Sequence, residues 1–140
     1  MTDTTKPETV VVGIDGSPSS IEALHWAERY CAKSGAHLQL ITAWTWPVIN
    51  GMPAHIQNKS LQDEATRVVE KAAAEVTLPA DQFTAEIREG SPVDVLVDAS
   101  KSASLVVLGS RGHGTLSQLL LGSVGSLCVH YASSPVVIVR

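Results

Sequence analysis

No window of the 140-residue chain holds the roughly eighteen uninterrupted apolar residues that a membrane-crossing helix needs, so a membrane role is not expected. Positive charge is scarce as well. Ten lysines and arginines stand against fourteen aspartates and glutamates, a net charge of -4. A nucleic-acid binder normally presents a basic face, so that class is disfavoured. Only two cysteines occur, Cys31 and Cys128. They are far apart and form no CxxC pair, which favours buried small apolar side chains over a disulfide or redox centre. His25, His37, His55 and His130 share no metal-ligand spacing, and His113 reads as a loop residue, which discounts a zinc site. The opening MTDTTKPET lacks the apolar core of a signal peptide. Residues 1–8 are therefore expected to be a flexible tail on a cytoplasmic protein. There is no internal repeat or low-complexity tract, and the length suits one domain, 1–140, with one core.

What is present is an alternation of two periodicities. Thr9 to Ile14 is a β-branched run suited to a strand buried on both faces. It stops at Asp15-Gly16-Ser17-Pro18, where Ser17 can cap a helix and Pro18 can occupy its first turn, with Ser19 and Glu22 as a second capping frame. Ile21, Leu24, Ala27 and Cys31 recur at helical spacing, and Gly35 supplies the stop. His37 to Trp44 is a second strand. Thr45 to Lys59 holds two prolines and one glycine without a clear period, so it reads as a loop, long enough to be a lid over a site. Ser60 and Asp63 then mark a helix with the stripe Leu61, Ala65, Val68, Ala72 and Val76. Phe83 to Arg88 is a third strand, and Glu89-Gly90-Ser91-Pro92 repeats the cap-and-proline device before a helix through Val93, Leu96 and Val97. Leu105 to Leu108 is a fourth strand, a glycine-rich segment leads into a helical run over Leu119 to Tyr131, and Val136 to Val139 is a fifth strand. Strands alternating with helices imply a parallel α/β sheet covered on both faces by right-handed crossovers. Ligands bind such sheets beyond the strands' carboxyl ends, where the strand order reverses. Asp15 and Gly109 flank one crevice if the first and fourth strands are neighbours.

The segment from 109 to 126, GSRGHGTLSQLLLGSVGS, carries the sharpest chemical signal. Its five glycines permit close approach of backbone to backbone or to a ligand. The pattern Gly109-x2-Gly112-x9-Gly122-Ser123 ends where a helix begins, and helix-start amides with the positive dipole end suit an anion. One glycine would suffice for chain reversal alone. Backbone amides and the Ser123 hydroxyl are thus candidate phosphate donors. Arg111 is the one cationic side chain between Lys101 and Arg140, either a solvated loop residue or an offset to phosphate charge. Asp15 is either a turn former or a hydrogen-bond acceptor for a ribose or base; a carboxylate repels phosphate unless a divalent ion intervenes. A Walker A loop requires Gly-Lys, and the loop has no lysine; GxGxxG is missing after the first strand. GSVGS has valine where a GxSxG elbow has serine, and nothing pairs a nucleophile with a base, so catalysis is not indicated. The last strand exposes unpaired backbone if it lies at an edge, and a second copy of the chain could cover it; a short interior strand is the alternative.

These residues resemble the universal stress protein family over nearly the whole chain. VVVGIDGSPSS is similar to that family's opening, EGSPVDVLVDAS to its third turn and helix, and LVVLGSRGHGTLSQLLLGSVGS to the nucleotide motif of its ATP-binding branch. Gly109, Gly112, Gly122 and Ser123 match that motif position for position. The resemblance implies an adenine nucleotide alpha hydrolase-like (Rossmann-like) fold: an open five-stranded parallel sheet in the order 3-2-1-4-5, with helices on both faces. It implies an adenine nucleotide, ATP first and AMP or cyclic AMP as alternatives, with magnesium if phosphate is hydrolysed. Asp15 would then contact the nucleoside, Ala43 would meet the adenine through its backbone, and Val136 to Arg140 would form a homodimer. The expected role is a stress-response protein that signals by occupancy; a slow ATPase and a nucleotide-free interaction module are the rivals. Two departures stand out: the aromatic setting Thr42-Ala43-Trp44-Thr45-Trp46, and Thr115 where many relatives have glycine.

Overall fold

A computed structural model describes residues 8–46, 48–49, 51–53, 59–111 and 122–140. Five strands form one parallel sheet: β1 (Thr9–Gly13), β2 (His37–Trp44), β5 (Phe83–Glu89), β6 (Leu105–Gly109) and β7 (Val136–Val139), in the spatial order β5-β2-β1-β6-β7. Counting these five in chain order gives 3-2-1-4-5, the expected topology. Two two-residue strands, β3 (Val48–Ile49) and β4 (Met52–Pro53), pair as a small antiparallel hairpin. That hairpin lies in the stretch expected to be plain loop; segments this short carry no period from which to read them.

The sheet's faces follow from strand alternation. Val10, Val12, Leu38, Leu40, Leu105 and Val107 face one side, where they pack with α1 (Pro18–Ser34) and α2 (Lys59–Ala73). Val11, Ile41, Val106 and Leu108 face the other, against α3 (Pro92–Ser100) and α4 (Ser123–Tyr131). Burial on both faces is why β1 and β6 read as continuous apolar runs. Cys31 and Cys128 are free thiols, one in each layer. Burial pushes the Cys31 thiol from its ordinary 9.0 up to about 11 and moves Cys128 in the same direction.

Helix ends follow local chemistry. Ser17 caps α1 by accepting from the Ser20 amide at 3.1 Å, with Pro18 in the first turn, and Ser91 caps α3 through the Asp94 amide at 3.1 Å. Because α1 starts at Pro18, the second frame at Ser19 lies inside the helix. Gly35 closes α1 at φ 78°, a left-handed conformation that costs glycine little. Three boundaries differ from expectation. The α2 helix begins at Lys59, so Ser60 sits within its first turn. Val76 falls beyond its end, and Val69 takes a buried place in the stripe instead. The α4 helix begins at Ser123 with Gly122 as N-cap; residues 119–121 of the expected helical run lie outside the described residues.

The arrangement places the carboxyl ends of β1 and β6 side by side. Their register runs Val10↔Leu105 to Val12↔Val107. From this shared edge β2 and β5 lie to one side and β7 to the other, which makes it the topological switch point of the sheet.

Candidate functional site

A cavity of about 340 Å³ opens at that switch point. Its walls include Asp15, Ala43, Gly109, Arg111, Gly122 and Ser123. Six of the seven residues singled out in the sequence therefore meet in one place. The seventh, Gly112, lies outside the described residues.

Each residue is delivered by a particular element. Asp15 follows β1 and is exposed at the rim. Its Oδ1 accepts from the Ser17 amide at 2.9 Å and from the Ser17 hydroxyl at 2.5 Å. The turn-forming role and the place at the cavity are thus both realised by one side chain. Ser17 in turn caps α1, so the same three residues start the helix and fix the carboxylate.

Ala43 is half-buried on β2. Peptide groups of a strand point alternately to its two neighbours. The Ile41 carbonyl points to the β1 side, accepting from the Ile14 amide at 2.9 Å, whereas the Trp44 carbonyl accepts from the Gly90 amide at 2.7 Å on the β5 side. By this alternation the amide and carbonyl of Ala43 point toward the β1 side. Strand β1 has already ended at Gly13, so this peptide edge is directed at the cavity.

Gly109 has a tighter reason to be glycine than expected. A Cβ there would fall 2.6 Å from the carbonyl carbon and oxygen of Ser19, besides meeting that residue's hydroxyl. Helix α1 packs on β6 only because that atom is missing. Ser19 Oγ also accepts from the Arg111 amide at 3.2 Å, which ties the start of the glycine segment to α1. The Ser110 amide donates to Val139 at 2.9 Å, and the Gly122 amide donates to the Ser110 carbonyl at 2.9 Å.

This corrects one expectation. The amides of Ser110, Arg111 and Gly122 are engaged within the protein. The donors left by helix geometry are one step further on: Ser123, Val124 and Gly125 are the first three residues of α4, whose amides have no intrahelical acceptor. All three line the cavity. Ser123 is accordingly a first-turn residue and not the cap, because Gly122 occupies that position at φ -63° and ψ 162°.

Pro92, Val95 and Leu96 of α3 join Ile41 and Leu108 as an apolar wall of the cavity. Reading this helix through Val93, Leu96 and Val97 missed the wall, since Val95 and Leu96, side by side in the sequence, look like any other core residues. Among the described lining residues, Asp15 and Arg111 are the two charged side chains. No group of three histidine, cysteine, aspartate or glutamate side chains suited to a metal occurs among the described residues.

Comparison with known proteins decides the family. The model of the universal stress protein family matches residues 7–140. The chain belongs to the universal stress protein family. A universal stress protein of Mycolicibacterium smegmatis is 37% identical over 140 residues, covering 94% of this chain and 47% of the relative. One from Mycobacterium tuberculosis is 35% identical over 141 residues, with 94% and 47% covered. The chain thus spans about half the length of the curated relatives it matches. Among solved structures, a universal stress protein in complex with cAMP is 32% identical with a TM-score of 0.71, covering 95% of this chain and 97% of that one. The universal stress protein UspA from Lactobacillus plantarum shares the fold, with a TM-score of 0.76 at 20% identity over 98% and 100% of the two chains. The five-stranded sheet described above is therefore that of a universal stress protein domain. No helix among its described residues is long and apolar enough to cross a membrane.

Proposed function

We propose that this universal stress protein domain binds an adenine nucleotide, ATP in the first instance, in the cavity between β1 and β6 and acts in stress response through occupancy of that site. The observation that carries the reading is the convergence of Asp15, Ala43, Gly109, Arg111, Gly122 and Ser123 on one cavity. The residues fit the parts of the ligand in order. The directed peptide edge of Ala43 offers one donor and one acceptor to an adenine edge, and the apolar wall of Val95 and Leu96 covers its face. Asp15 accepts from ribose hydroxyls. The first-turn amides of α4 and the Ser123 hydroxyl receive phosphate oxygens, and Arg111 offsets their charge. Bound with a magnesium ion, a triphosphate would leave Asp15 as the one lining carboxylate to share it, which is a normal complement for magnesium on phosphates.

A monophosphate or cyclic nucleotide is the second reading. It is favoured by Arg111 being the one cationic side chain among the described lining residues, and by the cAMP complex of the 32% identical relative. A slow ATPase, with magnesium held by the phosphates and Asp15, is the rival within this reading, and it predicts ADP release over hours that Asp15→Ala abolishes. The edge strand β7, half-exposed along its length, is proposed to pair with its copy in a homodimer.

Calorimetric titration of ATP, AMP and cyclic AMP into the wild type and Gly122→Val tests the site. Backbone φ at Gly122 is negative, so valine meets no left-handed strain there, and its side chain is expected to fill the phosphate path. Loss of affinity by at least about tenfold, some 1.4 kcal/mol, is expected with the fold retained. Equal affinity in the two proteins refutes the assignment. Mass spectrometry of small molecules released from the denatured, freshly purified protein identifies which nucleotide it carries.

A further inference from the structure

Three serines stand at the start of α1, and each sends its hydroxyl to a different place. Ser17 reaches Asp15 and caps the helix, and Ser20 donates to the Ser17 carbonyl at 2.9 Å. Both serve the helix start itself. Ser19 does not. It is 7% exposed, and among the described residues its hydroxyl is partnered by the Arg111 amide at 3.2 Å, 92 residues away in sequence. Packing alone asks only for a small side chain at this point. Alanine supplies one at Ala23 and Ala27, one and two turns on along the same buried face of α1. The hydroxyl is therefore an addition to the packing, and its one role in view is the bond to Arg111.

That bond acts on a single peptide group. The carbonyl of Ser110 and the amide of Arg111 are the two edges of one planar unit and point in opposite directions. The carbonyl accepts from the Gly122 amide at 2.9 Å, and Gly122 is the N-cap of α4. The amide donates to Ser19. The peptide is thus clamped between the start of α4 and the start of α1, and with both edges held it cannot turn about its own axis. Its orientation sets the direction in which the chain leaves at Arg111. Arg111 and Ser123 both line the cavity, so the clamp fixes a cation beside the free amides of the first turn of α4.

We infer that Ser19 is a positioning residue of the nucleotide site, which acts through Arg111 and sets the preference of the site for a phosphorylated nucleoside over the bare nucleoside. This rests on the adenine-nucleotide reading above. A cation held in place beforehand binds phosphate without the cost of being ordered on binding. Adenosine lacks the phosphate, and its base and sugar are assigned to Ala43 and Asp15, so it is indifferent to the clamp.

Calorimetric titration of adenosine, AMP and ATP into the wild type, Ser19→Ala, Arg111→Gln and the double variant tests this. Ser19→Ala keeps the Cβ and favours a helix, so its far-ultraviolet spectrum should match wild type. It should bind AMP and ATP about tenfold more weakly, the worth of one good hydrogen bond, with adenosine affinity unchanged. Arg111→Gln, which keeps its backbone amide, should lose at least as much for the two nucleotides and nothing for adenosine. The double variant should bind them no more weakly than Arg111→Gln alone, because the serine acts through the arginine. The inference is overturned, with the nucleotide reading left standing, if Ser19→Ala or Arg111→Gln binds the nucleotides like wild type, if adenosine weakens as much as they do, or if the two losses add. A wild type that binds none of the three ligands overturns both.

Discussion

Gly109 and Gly122 stand in the same motif but are glycine for different reasons. At Gly109 the constraint is α1: any side chain meets the Ser19 backbone, which cannot rotate away. Gly109→Ala is expected to cost about 1–3 kcal/mol, the range for overpacking, measured by urea denaturation, and to disturb ligand binding only through that shift. Gly122→Val should show the reverse, with near-normal stability and lost nucleotide. A motif read along the chain merges the two roles, because Ser19 lies 90 residues from Gly109 in sequence. Cys31 makes a separate prediction. Its folded pKa of about 11 lies above the ordinary 9.0, so the neutral buried thiol contributes stability that is fully present below pH 9 and lost as the pH rises toward 11. The loss is of order 2–3 kcal/mol, and Cys31→Val should flatten that limb of a stability–pH curve measured by denaturant titration.

Among the elements, the start of α1 couples folding to the site. Ser17 caps the helix with its hydroxyl oxygen while donating to Asp15. Ser17→Ala should therefore remove about 1 kcal/mol or somewhat more of stability and also weaken nucleotide binding by releasing the carboxylate. Ser91→Ala, which loses a cap of the same kind at an exposed position, should lower stability by a similar or smaller amount and leave binding alone. Thermal melts and calorimetry on the two variants separate these effects. The contrast also explains what could be read in advance. The five strands of the main sheet and the two Ser-Pro helix starts were legible because apolar runs, alternation and capping are written in side chains. The start of α4 was legible as the Gly122-Ser123 pair, but not which of the two is the cap, since a glycine cap has no side chain to mark it. Nor was the exposure of Leu61: the stripe on α2 is periodic along its length, yet Ala65, Val69 and Ala72 are buried while Leu61 is exposed, a difference set by three-dimensional packing and not by spacing.

For the whole molecule, the sheet has two unequal edges. At one edge β5 pairs with β2 over seven registered positions, from Leu38↔Phe83 to Trp44↔Glu89. It carries Glu86, whose carboxyl is held below its ordinary value by the hydrogen bond from Arg88. Charged side chains of this kind blunt an edge against further pairing. At the other edge β7 reads Val136-Val137-Ile138-Val139, with no charge until Arg140, and every one of its four residues is half-exposed. Beside it, α4 leaves Leu127, Val129 and Tyr131 exposed. An uncharged, β-branched edge next to apolar helix positions is a surface that pairing with its own copy would cover, since one strand presents to its twin the same row of donors and acceptors. Ile138→Lys should then convert a dimer to a monomer in sedimentation velocity at micromolar concentration, while the far-ultraviolet spectrum and nucleotide affinity stay unchanged. A wild type that sediments as a monomer, or a variant that remains dimeric, removes β7 from the interface. Only in the second case does the search move to the face of α4.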